Sequence, residues 1–222
     1  MPHVWHRLQG AIALTILLVA ASAAVSLYPA ASCNLSLDAA TWTRHPWQIL
    51  TYSMVHASGI HALWNILWVA CGAVIMSLCG HRGAVIGTFA LASVCGALAY
   101  LTSASGHGIL VGASAGALGL LSADLVLMAG QRRTLAALAM GATVCLGISL
   151  SGGHPTVHIA GVLTGVAYGI ILEAIRRRHC ARQATIRLHA DELAQLTEII
   201  RLSGFRALSA AQRQRYHQLT QK

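Results

Sequence analysis

Six apolar stretches, at residues 9–28, 58–79, 83–103, 109–130, 134–151 and 155–175, are each long enough to cross a bilayer core. Inside hydrocarbon every backbone N–H and C=O must be satisfied within the protein, so a chain of this pattern folds as a bundle of helices. The composition agrees, with 56% hydrophobic and only 9% charged residues in 222. The expected fold is all-α: a polytopic membrane bundle of six transmembrane helices over residues 1–178, followed by a short cytoplasmic helical tail at 179–222.

An even number of spans leaves both termini on one side. Arg7, Arg82, Arg132, Arg133 and the basic tail from Arg176 onward share one face, whereas Arg44 alone among fifteen Lys and Arg residues falls on the other. The positive-inside rule then places both termini in the cytoplasm, with a bacterial cytoplasmic membrane as the expected location. The net charge of +9 is read as a topology determinant and an attraction to the lipid bilayer, not as a nucleic-acid signature. The stretch at 9–28 could instead serve as a signal peptide after Arg7. It is long for one, and its removal would upset the even count, so a retained helix is preferred. The six cysteines show no CxxC spacing, and no disulfide framework is expected.

The one sizeable external loop, 30–55, carries Trp42, Trp47 and Tyr52, which suit the headgroup region or an ordinary aromatic belt. In the tail, Leu193, Leu196, Ile199 and Ile200 stand at helical spacing ahead of Gly204. Ser209 with Gln212 then forms a capping box for a second short helix.

Four polar residues interrupt the apolar pattern at one depth. Ser114 is expected about five residues into the fourth span, roughly 7 Å below its start. His158 is expected about three residues into the sixth span, and His61 with Asn65 shares a face in the outer part of the second. Small residues at intervals of three to four, Gly112, Gly116 and Gly119 around the serine and Gly161 and Gly165 after His158, let helix backbones approach in lipid. Each residue alone has a plain reading: membrane serines usually bond back to their own helix, glycine stretches are packing faces, and an asparagine joins helices. A histidine within a span is more costly to bury and marks function more often. Jointly they are what a serine hydrolase shielded from bulk solvent needs. Asp124 and Glu173 lie roughly 15 Å and 22 Å down their helices from Ser114 and His158. The pattern therefore favours a Ser-His dyad, the histidine being oriented by helix packing and by aromatics such as Tyr168 or Tyr100.

The segment from His56 through His61 and Asn65, the GxSx turn at Gly112 with Gly119 beyond, and the His158-Ile159-Ala160-Gly161 run with Gly165 resemble the signature of the rhomboid intramembrane serine proteases. The resemblance spans residues 46–169, and the tail at 191–212 is similar to that of some bacterial members. It implies Ser114 as nucleophile and His158 as general base, with His61 and Asn65 holding the oxyanion beside the Ser114 backbone N–H. His56 matches a further family histidine that supports the site. The sequence departs from the family pattern at Ala115, where glycine is usual, at Gln48, where the Trp-Arg pair reads Trp47-Gln48, and at Ser77, where an acidic residue is common.

The implied activity is endopeptidase cleavage of single-span membrane proteins that unwind near their outer boundary. No cofactor and no metal is expected, and nothing in the sequence specifies an oligomeric state. Two alternatives stand beside this reading. One is a catalytically silent rhomboid-like protein that binds membrane helices; the other is a haem or metal protein using His154 and His158, or His56 and His61.

Overall fold

A computed structural model describes residues 2–103, 108–130 and 154–220. The chain divides into two compact units, 1–173 and 174–222. The fold is all-α, with a single two-stranded ribbon among the described residues, and the protein is an integral membrane protein. Four helical segments, Trp5–Leu27, Gly59–Leu78, Arg82–Ser103 and Pro155–Ser203, are long and apolar enough to cross a membrane, and Ser114–Gly130 is a shorter apolar helix. The expected span at 134–151 lies outside the described residues.

Helix α1 (Pro2–Leu27) is followed by a short helix of seven residues, α2 (Pro29–Leu35), started by Pro29 at a position where the missing N–H costs nothing. Strand β1 (Leu37–Asp38) and the short helix α3 (Gln48–Thr51) with its 3-10 extension Tyr52–Met54 complete the first loop. Helix α4 (Gly59–Leu78) begins at Ser58, whose hydroxyl accepts the His61 N–H. Helix α5 (Val85–Ser103), strand β2 (Ile109–Leu110), helix α6 (Ser114–Gly130) and helix α7 (Pro155–Ser203) follow, with α8 (Ala210–Thr220) last.

Helix α6 is the centre of the first unit. Residues 115–124 are all buried, because α4, α5 and α7 cover every side of the helix. Its small residues make that possible. A Cβ on Gly116 would strike the Phe89 ring of α5, one on Gly119 would strike Ala92, and one on Gly72 of α4 would meet Leu120 at 2.9 Å. The outer helices turn apolar side chains the other way: Ile60 is 72% exposed, Leu163 is 64% exposed, and Leu63, Leu67, Ile170 and Ile171 are also uncovered. Such surfaces would be sticky in water and are the natural complement of lipid tails.

One expectation needs correcting. The fourth span was expected to be helical from 109, with Ser114 a turn and a half inside. Instead Ile109 and Leu110 are extended and pair antiparallel with Asp38 and Leu37, and Ser114 is the first residue of α6. The serine reaches its depth on extended chain. Gly112, expected on a helix-packing face, lies in this non-helical approach with φ +112°, a conformation that suits glycine.

In the second unit, Gly204 ends the long helix with φ +76°, and the capping box forms reciprocally. The Ser209 N–H donates to Gln212 Oε1 at 2.9 Å, and the Gln212 N–H donates to Ser209 Oγ at 3.2 Å. Leu196 and Leu208 are buried, and the Arg215 guanidinium grips the Glu192 carboxylate at 2.9 Å, holding that carboxyl below its usual pKa.

Candidate active site

Three helix starts converge. Ser114 opens α6, His61 is the third residue of α4, and His158 is the fourth residue of α7. Helix starts carry backbone N–H groups without intrahelical partners and the positive end of the dipole, so this cluster suits developing negative charge.

Ser114 Oγ lies 3.0 Å from His158 Nε2, and His158 is buried. Glycines set this distance. Gly161, three residues past His158, rests on the backbone of Ala115, Gly165 rests on Gly119, and Gly169 rests on Ala123. These contacts repeat every four residues on both helices, so α6 and α7 run side by side in register. The Ser103 and Thr156 hydroxyls, 3.0 Å apart, tie the end of α5 to the start of α7.

His61 and Asn65 gather on the other side of the turn. A Cβ on Gly112 would meet His61 Cε1 at 2.8 Å, His61 Nε2 at 3.0 Å and Asn65 Nδ2 at 3.7 Å. Glycine therefore admits both side chains to the backbone two residues before Ser114. Asn65 Nδ2 donates one proton to the His61 carbonyl at 3.0 Å, leaving its second free. The Ala57 N–H donates to His61 Nδ1 at 3.4 Å, so a neutral His61 carries its proton on Nε2, the nitrogen beside Gly112.

The first loop braces this turn. The Gly112 N–H donates to the Tyr52 carbonyl at 3.0 Å, and the Tyr52 hydroxyl donates to the Ser93 carbonyl at 2.8 Å. Burial raises the Tyr52 pKa further, so the hydroxyl keeps its proton. Gln48, standing where the family pattern has arginine, is buried and uses both ends of its amide: Oε1 accepts the Asp38 N–H at 3.3 Å, and Nε2 donates to the Asn34 carbonyl at 3.4 Å. Trp47 Nε1 donates to the same carbonyl at 3.0 Å. Among the described residues the loop is thus anchored by neutral hydrogen bonds and without an ion pair.

His56 lies outside the spans and stacks edge-on to His61 at 5.3 Å between ring centroids. Burial, and then the neighbouring His61, push its pKa down to about 4. Its Nδ1 is 3.1 Å from the Ser22 hydroxyl on α1, a residue that no motif or spacing singles out.

Of the aromatic neighbours expected around His158, Tyr100 joins Ala115 and Val157 in one buried cluster. The Tyr100 ring packs on His154 at 4.8 Å, and the Tyr168 hydroxyl sits by Gly87. Asp124 is fully buried, and neither of its oxygens has a hydrogen-bond partner among the described residues. Ala115 and Ser77 are both buried, and the Ser77 hydroxyl donates to the Ala73 carbonyl at 2.7 Å. No group of three or more His, Cys, Asp or Glu gathers at metal-binding spacing among the described residues.

No curated protein matches the chain. The family model described as the Rhomboid domain matches residues 43–175, which takes in α3 to α6, the start of α7, and His56, His61, Asn65, Ser114 and His158. With more than half of its length matched, the chain belongs to the rhomboid family.

Proposed function

We propose that the protein is an intramembrane serine endopeptidase that cuts single-span membrane proteins near the outer boundary of the bilayer. The observation that carries this reading is the 3.0 Å approach of Ser114 Oγ to His158 Nε2. At that distance the imidazole can take the hydroxyl proton as the oxygen attacks a peptide carbonyl, then return it to the leaving amine. An acyl-serine forms, and water activated by the same nitrogen releases it.

Negative charge that develops on the carbonyl oxygen is assigned three donors: the Ser114 N–H at the helix start, His61 Nε2–H and the second Asn65 amide proton. With no carboxylate bound to the imidazole among the described residues, the dyad relies on burial and on the α6–α7 packing for its orientation. Both termini are assigned to the cytoplasm of a bacterial cell, from the arginine distribution, which puts the helix starts in the outer leaflet. A transmembrane substrate must unwind to present its carbonyl there, so small or helix-breaking residues near the outer boundary mark its cleavage site.

The test is labelling with a serine-directed fluorophosphonate in detergent, wild type against Ser114→Ala. Labelling of wild type alone supports a hydrolase. Labelling that survives the substitution moves the nucleophile elsewhere, and an unlabelled wild type favours the silent, helix-binding alternative.

A further inference from the structure

Ser22 does not behave as serines in apolar helices normally do. The default is a bond from the hydroxyl to the carbonyl four residues back, and Thr15 and Ser26 on the same helix follow it, donating at 2.8 Å to Ala11 and Ser22 respectively. The Ser22 hydroxyl instead leaves its helix and reaches the segment before α4, 3.1 Å from His56 Nδ1 and 3.4 Å from the Met54 carbonyl.

A hydroxyl has one proton to give and lone pairs to receive with. The Met54 carbonyl only accepts, so the arrangement that satisfies all three groups has Ser22 donating to Met54 and accepting from His56 Nδ1–H. The reverse, with Ser22 donating to Nδ1, takes both the Ser22 hydroxyl and the His56 Nδ1–H away from the Met54 carbonyl, which lies within reach of each. The pair of acceptors therefore holds the single proton of neutral His56 on Nδ1. His56 Nε2, buried and without a partner among the described residues, stays a bare lone pair.

That fixed ring is the wall against which His61 stands, edge to face at 80° and 5.3 Å. His61 must keep Nε2–H beside Gly112 to serve as a donor to the oxyanion, and a flip or tautomer change of His56 alters the surface that holds it there. The geometry points to Ser22 as a positioning residue of the site, acting from α1 through His56 on His61. The inference rests on the serine hydrolase reading for its effect on rate, but not for the state of His56.

Full-length protein carrying 15N-histidine, compared as wild type, Ser22→Ala, Ser22→Thr and Ser26→Ala, separates the two. Ring nitrogen shifts report the His56 tautomer directly, and the fluorophosphonate labelling rate reports the site. Wild type should show His56 as one Nδ1–H form. Ser22→Ala should give a tautomer mixture and slow labelling by about 10- to 100-fold, the scale of a small misplacement. Ser22→Thr should restore both, and Ser26→Ala should change neither. A wild-type tautomer in Ser22→Ala overturns the inference, as does an unchanged labelling rate beside an altered tautomer, or a loss that threonine does not rescue. If wild type is not labelled at all, the hydrolase reading fails, while the nitrogen shifts still decide whether Ser22 sets His56.

Discussion

The α-carbon of Gly161 faces Ala115 so closely that an added Cβ would lie 2.5 Å from the Ala115 carbonyl oxygen. Ala115 follows Ser114, and Gly161 is one turn beyond His158, so this backbone contact fixes the separation of the two reacting groups. Packing and chemistry are coupled at a single point.

Gly161→Val and Gly165→Leu should therefore lose activity and stability together. Overpacking of this kind costs about 1–3 kcal/mol, and more where both neighbours are backbone. Thermal unfolding in detergent and labelling rate are the paired readouts. Wild-type values for both in either variant would mean that α6 and α7 are not held as described.

How much of this was legible in the sequence depends on the range of the interaction. The four-residue glycine spacing after His158 is local, repeats, and announces a close helix contact; the capping box at Ser209 and Gln212 is equally local. The ribbon of Leu37–Asp38 with Ile109–Leu110 is two residues long on each side, too short for any alternation to show. Hence the apolar pattern alone predicts a helix from 109, five residues before the observed helix start at Ser114, and Gly112 looks like a packing residue. Ser22 was hidden for another reason: one hydroxyl in an apolar helix has the same pattern whichever way it bonds.

Asn65→Ala removes an amide proton available to the oxyanion while leaving the dyad in place. The rate should fall by about 10- to 1000-fold, as for other donors of this type. The check is the split between turnover and apparent affinity. A change confined to affinity would assign Asn65 to substrate binding.

Gln48→Ala strips the first loop of two hydrogen bonds at a buried position and leaves the Asp38 N–H without that acceptor. The expected destabilisation is about 1–3 kcal/mol. Hydrogen exchange should show it first at residues 36–51. Unchanged exchange there would mean that Trp47 and the Thr51 hydroxyl, which donates to the Leu35 carbonyl at 2.8 Å, suffice to hold the loop.

His56 makes stability depend on pH in a defined direction. Folded, its pKa is about 4; unfolded, it returns to about 6.5. The unfolded chain therefore binds more protons as pH falls between those values, so the stabilising effect of neutral burial is intact above about 6.5 and is lost progressively toward about 4. His56→Asn should flatten the fall in thermal midpoint over that window. An identical fall in the variant would place the responsible group elsewhere.

The most direct measurement is cleavage in the bilayer. A panel of single-span proteins, with and without helix-breaking residues at the outer boundary, is reconstituted in liposomes with wild type, Ser114→Ala or His158→Ala, and the products are mapped by mass spectrometry. Wild type should cut the members with weakened helices near that boundary, and both variants should cut none. Equal cleavage by Ser114→Ala or His158→Ala would contradict a reaction carried by the contact between Ser114 Oγ and His158 Nε2.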